Sequence, residues 1–476
     1  MSNTTITPAR FGKGYKHIVT SDGKKVGLDD PRVCHVLPID FSPYTLTALK
    51  YFFKRRGWKT RVSTRTTSET LQYAKELSSG RECLPCAAII GETCKDLSTQ
   101  RQPDEITVYY NLDQDGPCQN GGWPLMWETF ADRKQLRDVL LCTWPSQRNN
   151  YLGRGDLFAV EIGLAFIIGD LLDEAEFTLR CLAVDKTAAM KVFERETEFA
   201  LQGCARGRTA VRGAFARWAR TMKQIKLRAD VEQQPKVLLF GGANLAFLHY
   251  PITDYFLSQG IIPKLVDFTE FLFFLESEDI TRYGFKIGQT QNGSQLDFMP
   301  LLLSMFNPKH SFWEGFQAVR CRIHVAALDR VLKYMRGVFE PSGLVYDTHI
   351  PFDTIYREGS KYVSANGFTE THLNTGRFAA SAKLSPFDGI VNVGTFNCQP
   401  AMNTQSCART IANEIDIPYA SIDCEGPHIS ANQKRLLEAV SVQAKRVRAG
   451  KNGGGVQTPH ERQARPQEQE RPPQAA

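Results

Sequence analysis

The chain has 476 residues, of which 42% are hydrophobic and 23% charged, and a net charge of +7. A single hydrophobic core stops growing well short of this length, so two or three domains are expected, and so ordinary a composition excludes wholesale disorder and a membrane-embedded chain. The most apolar stretch, Leu157 to Leu172, is interrupted by Glu161 and Asp170 and is shorter than the roughly 20 residues of a spanning helix, so it reads as a buried helix.

Residues 1–29 form an N-terminal segment. Met1 to Arg10 is polar and lacks the apolar centre of a secretory signal, which predicts a cytoplasmic location. The first α/β unit follows: a strand over Arg32 to Leu37, a loop around Asp40 to Pro43, a helix from about Tyr44 to Arg56 with Gly57 at its C-cap, and a strand over Lys59 to Ser63. Ile106 to Tyr110 is strand-like, and Asp156 to Asp230 reads as mostly helical. Within that region Arg206 to Arg228 carries eight Lys or Arg and no acid. Val211, Phe215, Trp218, Met222 and Ile225 recur there at helical steps, so the basic residues read as the solvated outside of a packed helix rather than as a partner-binding face.

Gln233 to Pro235 marks the expected domain break. The second unit is a strand over Lys236 to Phe240, the pair Gly241-Gly242, a helix to about Ser258 stopped by Gly260, and a strand over Ile262 to Val266. Helices are expected from Phe268 to Met335. The third unit is a strand over Gly389 to Val393, a loop from Gly394 to Pro400, a helix to about Ile415 and a strand over Tyr419 to Ile422. The expected architecture is α/β, two open, mostly parallel-sheet Rossmann-like lobes with helical insertions, divided as 30–232 and 233–450. Residues 451–476, rich in Gly, Gln, Pro and alternating charge, are expected to be disordered. No short repeat is evident, although the two lobes could be distant structural relatives.

Twelve cysteines in a chain without an export signal point to thiols, metal ligands or catalysts rather than disulfides. The first group is Gly80-Arg81-Glu82-Cys83-Leu84-Pro85-Cys86, with Cys94 eight residues on. A Cys-x-x-Cys pair suits a redox couple, half a zinc site or part of an iron-sulfur site. A zinc ribbon needs a second such pair, and a thioredoxin-like couple does not carry proline in this way, which leaves iron-sulfur ligation or chance. The second group is Asp115-Gly116-Pro117-Cys118-Gln119-Asn120-Gly121-Gly122, where glycines would let backbone amides approach a cofactor, although a plain turn would look similar. The third is Phe396-Asn397-Cys398-Gln399-Pro400, at a strand end before a helix, where a thiolate gains from helix N-terminal amides. Each cysteine loop is one that α/β topology can bring to the carboxyl ends of the strands, where such sheets bind ligands.

The Gly-x-x-Cys-x-Pro, Gly-Pro-Cys and Phe-x-Cys-x-Pro stretches, with Gly169-Asp170-Leu171-Leu172, Ile422-Asp423 and Asn432-Gln433-Lys434-Arg435, resemble the 2-hydroxyacyl-CoA dehydratase and acyl-CoA dehydratase activase superfamily. The likeness is to the C-terminal, double-cubane-related part of the large activases and covers roughly residues 30 to 445. The resemblance implies a four-iron four-sulfur cluster held by Cys83, Cys118 and Cys398 with one iron left open. A double-cubane cluster, as some relatives contain, would need further ligands, for which Cys86 and Cys94 are the candidates. It also implies a partner: an ATP-dependent activator with its own iron-sulfur cluster, delivering low-potential electrons for reductive or radical dehydration of an acyl-CoA-type substrate. A homo- or heterodimer is expected, with no membrane and no nucleic-acid partner.

Two departures are visible, Gln119 where related loops often carry Arg, and Asn392 where some carry a further cysteine. The ATPase module of the large activases has no counterpart, since no phosphate-binding Gly-rich loop with Lys and Ser or Thr is present and Gly241-Gly242 lacks the full dinucleotide pattern. These departures keep open an alternative, a non-catalytic scaffold or partner-binding protein with zinc or no cofactor. Cys34, Cys142, Cys181, Cys204 and Cys321 read as buried structural thiols, and Cys407 and Cys424 as unlikely ligands. His249, His349, His372 and His428, all in expected loops, and Glu82 are candidate acids or bases for which surface or structural roles are the simpler reading.

Overall fold

The computed structural model describes residues 7–452 except 64, 112–117, 145–148, 242–248, 289–296 and 366–368. The expected disordered tail beyond 452, the Asp115-Gly116-Pro117 stretch and Gly242 therefore lie outside the described residues. Chain order begins with a small antiparallel sheet, β1 (Arg10–Phe11), β2 (His17–Val19) and β3 (Lys25–Gly27), inside the N-terminal segment. The strands are too short for a period-two pattern to show in the sequence.

The first large sheet contains β4 (Val33–Leu37), β5 (Lys59–Val62), β6 (Ile106–Asn111) and β7 (Val139–Thr143), all parallel, in the order β5-β4-β6-β7. β4 and β6 are buried along their whole length, as the near-continuous apolar runs of a sheet covered on both faces require. The helices are α1 (Pro43–Lys54), α2 (Ser68–Ala74), α3 (Leu84–Thr99) and α4 (Trp123–Arg133). Gly57 stands at φ +74° after α1, the left-handed stop that its sequence position predicted.

The second large sheet contains β8 (Lys236–Phe240), β9 (Ile262–Leu265), β10 (Gly389–Thr395) and β11 (Tyr419–Cys424), again all parallel, in the order β11-β10-β8-β9. Numbering the strands within each sheet, both run 2-1-3-4. The two lobes therefore share one topology, with a switch point between the first and third strands of each, the place where open α/β sheets take ligands.

Between the sheets run α5 (Asp156–Leu182), α6 (Lys186–Leu201) and α7 (Arg208–Met222), then, after β8, α8 (Tyr250–Ser258), α9 (Thr269–Lys286), α10 (Phe298–Ser304), α11 (Phe312–Phe339), α12 (Phe352–Gly359) and α13 (Thr371–Leu384); α14 (Gln399–Ile415) and α15 (Ala431–Asn452) complete the second lobe. On α7 the predicted stripe faces inward: Val211, Phe215, Trp218 and Met222 are buried, and the arginines lie on the outer side. The Leu157 to Leu172 run lies in α5, and among the described residues no helix is long and apolar enough to cross a membrane.

α5 joins the lobes through the motif residues Gly169 and Asp170. A Cβ on Gly169 would stand 1.8 Å from Thr45 Oγ1, so only glycine lets α5 approach α1 this closely. The buried Asp170 carboxylate accepts from Phe268 N and Thr269 N, both at 2.9 Å, and from Thr269 Oγ1 at 2.5 Å, capping α9 from another helix. Asp170→Ala would strand those donors in the interior. We expect it to lower the unfolding free energy by about 2 kcal/mol or more in urea denaturation, and an unchanged midpoint would show that the cap contributes nothing.

Candidate functional site

Cys83 immediately precedes α3, Cys398 immediately precedes α14, and Cys118 precedes a 3-10 turn, Gln119–Gly122, that runs into α4. Each is an N-cap in extended conformation, and none of the three thiols caps its own helix. Proline stands in the first turn of all three helices, as Pro85, Pro124 and Pro400, where its missing N–H costs nothing and its fixed φ favours the start of a helix. The Cys-x-Pro spacing legible at Cys83 and Cys398 is thus a thiol presented at a helix N-terminus.

The three loops meet. Leu84 N donates to Phe396 O at 3.2 Å, Asn397 Nδ2 to Arg81 O at 3.0 Å, and Cys83 N to Gln119 Oε1 at 2.6 Å. Asn397 takes a left-handed φ of +57°, which asparagine tolerates better than most residues. Cys83, Cys86 and Cys398 are buried in one apolar cluster with Ile90, Tyr109, Trp123 and Ala401, and Cys118 is half-buried beside them. Burial, then the nearby Glu370 carboxylate, then Cys83 and Cys398 push the Cys118 thiol up; the hydrogen bond to Cys86 and burial do the same to Cys83. Three thiols so placed resist ionising together, and a compensating cation removes that penalty.

Among the described residues no three His, Cys, Asp or Glu side chains are grouped as the ligands of a single metal ion would be. A four-iron cube presents a separate iron to each thiolate, so its protein ligands stand farther apart than those of one ion. Thiols converging at helix N-termini against an apolar wall fit such a donor set.

Cys86 lies beside Cys83 in the first turn of α3, whereas Cys94 sits two turns on and has Glu76 and Lys134 as its charged neighbours, not the other cysteines. Cys34, Cys142, Cys181, Cys204 and Cys321 are all buried, as expected of structural thiols. Cys407 lies within α14 and Cys424 ends β11. Glu82 is a loop builder: its carboxylate accepts from Ser79 N at 2.8 Å, Gly80 N at 2.9 Å and Arg81 N at 3.1 Å, shaping the approach to Cys83. His372 is not in a loop but in the first turn of α13, bonded to Ser360 Oγ at 2.9 Å, and burial pushes it down to about 4. His249 is buried and pushed down to about 3, His349 faces Asp329 at 3.4 Å, and His428 is exposed. Asn392 lies buried within β10, its Nδ2 donating to Ser421 Oγ at 3.2 Å.

Two residues at the centre carried no role in the sequence reading. Gln119, noted there only as a departure, ties the second cysteine loop to the first. Glu370, buried at the N-terminus of α13, acts electrostatically on both Cys83 and Cys118, and Thr371 Oγ1 donates to Pro400 O at 3.1 Å, drawing α13 to the start of α14. The shared topology explains Glu370. In each lobe a short helix pairs with the longer helix that leads into the third strand, and Gly91 of α3 and Gly376 of α13 each approach a backbone carbonyl of that short helix, Thr70 O and Ile355 O. Glu370 directly precedes α13 as Cys83 directly precedes α3, and Cys398 follows its third strand as Cys118 does.

No protein-family model matches the chain, and no curated protein matches it. Gln119→Ala would leave the buried Cys83 N–H without an acceptor, a loss expected to cost roughly 1–3 kcal/mol in denaturant unfolding, while Gln119→Glu keeps an acceptor and most of the stability. Equal stability of the alanine variant and the parent would show that the bond is not made.

Proposed function

We propose that this chain is an iron-sulfur protein with a four-iron cluster on Cys83, Cys118 and Cys398. It accepts low-potential electrons from a separate ATP-hydrolysing activator and serves reductive or radical dehydration of an acyl-CoA-type substrate. The observation that carries the reading is the meeting of three helix N-cap thiols from both lobes at the carboxyl ends of the third strands. The resemblance of the three cysteine loops to the dehydratase and activase superfamily supports the electron source and substrate class.

When bound, the cluster would supply one-electron chemistry and, with only three thiolates, an iron open to a substrate oxygen. The chain's own residues do the rest. The N-termini of α3, α4 and α14 place positive dipole ends against an anionic centre, which favours thiolate over thiol. Ile90, Tyr109 and Trp123 exclude water, and exclusion of water is one of the levers on a cluster's potential. Cys86 is the nearest thiol for a further ligand if the cluster is larger. Glu370 brings a buried carboxylate near Cys83 and Cys118 that would be the chain's candidate proton carrier for the bound substrate.

Cys118→Ala tests the ligand set. Prepared without oxygen, it should lose most bound iron and acid-labile sulfide and no longer be reduced by an activator, with its circular dichroism unchanged, whereas Cys407→Ser should keep the parent's iron. Parental iron content in Cys118→Ala would overturn the assignment. Glu370→Gln should retain the cluster and lower turnover by about 10²-fold or more, the contribution typical of a positioned proton carrier. Unchanged turnover would remove Glu370 from the mechanism.

A further inference from the structure

A partly open cavity of about 100 Å³ lies away from the cysteine centre, walled by the main core rather than by the apolar cluster around the thiols. Ile162, Leu272, Leu275, Leu328 and Val331, from α5, α9 and α11, supply its apolar wall. Trp144, one residue past β7, lines it too; its side chain is buried, and its indole Nε1–H has no hydrogen-bond partner among the described residues. A buried donor with no acceptor costs free energy that a bound acceptor would recover.

The polar residues of the cavity form a connected set. Tyr151 hydroxyl donates to Glu276 and stands 3.2 Å from His324 Nδ1. His324 Nδ1 lies 3.2 Å from Glu276 Oε2, and its Nε2 lies 3.4 Å from Asp156, which Arg320 also pairs. Tyr151 reaches this position through a turn in which Asn150, Tyr151 and Leu152 all adopt left-handed φ values, between +49° and +56°. Successive non-glycine residues hold that conformation only where their surroundings impose it, and such strain gathers at ligand sites. Asn149 imposes it: its Oδ1 accepts from Leu152 N at 3.0 Å, and its Nδ2 donates to Trp144 O at 3.0 Å, fastening the strained turn to the residue with the unpaired indole.

We propose that this cavity binds a small neutral molecule with an apolar body of about five heavy atoms and a single hydroxyl or carbonyl oxygen. An apolar cavity of roughly 150 Å³ holds benzene, which sets the size. The indole N–H demands an acceptor, so a bare hydrocarbon leaves it unpaired. Asp156 and Glu276 oppose an anion, and both are already paired, Asp156 by Arg320 and His324 and Glu276 by His324, which leaves a cation no free carboxylate. The site is independent of the cluster reading.

Isobutanol, isobutyrate and isobutylamine share a body and differ in charge, and the Trp144 indole N–H resonance, identified by its loss in Trp144→Phe, reports on occupancy. Isobutanol should move that resonance saturably, with isobutyrate and isobutylamine at least ten-fold weaker. Ala327→Leu fills the cavity and should abolish the shift while its thermal transition persists. Saturation-transfer experiments on Trp144→Phe should show isobutanol bound at least five-fold more weakly, a readout that holds even if Ala327→Leu fails to fold. An unmoved or merely drifting Trp144 resonance, equal binding of the charged probes, or a saturable shift surviving in folded Ala327→Leu would overturn the proposal.

Discussion

The position of every cysteine loop depends on how α5 holds one lobe against the other. Besides Asp170, its Glu174 reaches across the boundary, accepting from Tyr346 N at 2.6 Å, Asp347 N at 2.7 Å and Arg336 Nη1 at 3.1 Å, with Lys264 3.6 Å away. Arg377 extends the network to Asp347 at 2.7 Å and Glu270 at 3.3 Å, all of it buried. Replacing such a network by apolar residues need not cost stability, but deleting one member leaves an uncompensated buried charge. The network fixes the geometry of two sheets that would otherwise be free to slide, and a centre assembled from both lobes needs that fixed geometry.

With the lobes held, topology does the rest. Each sheet runs 2-1-3-4, each third strand ends in a loop with a cysteine, and each helix leading into that strand begins at the same centre. The residue directly before that helix is Cys83 in the first lobe and Glu370 in the second. A near-symmetric frame thus yields an asymmetric centre, three thiols and one carboxylate, all at helix N-termini.

Much of this was legible in the sequence. The strand-loop-helix units at β4, β8 and β10 showed as apolar runs closed by turn residues, and Gly57 and Gly260 marked helix ends where the chain adopts positive φ. The loops at Cys83 and Cys398 were recognisable because Cys-x-Pro fixes a thiol at the start of a helix, and the loop at Cys118 by its glycines. Glu370 was not, since a glutamate in Thr369-Glu370-Thr371 differs from a surface residue only once the lobes are superposed in topology. Gln119 looked like a loss because its partner is a backbone N–H thirty-six positions away, which no residue pattern reveals. The Gly169-Asp170 and Asp423-Gln433 motifs carried meaning of another kind: Gln433 bonds the Asp423 carbonyl and Gln405 Nε2 bonds its carboxylate at 2.6 Å, so these residues brace the fold.

The central claim is that the three thiols hold an iron-sulfur cluster. Iron and acid-labile sulfide determination on the full chain, purified or reconstituted without oxygen, tests it most directly. The account predicts about four irons and four sulfides per chain for a single cube, with a broad visible absorption that bleaches on reduction. Protein that is folded yet binds neither iron nor sulfide after anaerobic reconstitution would contradict it.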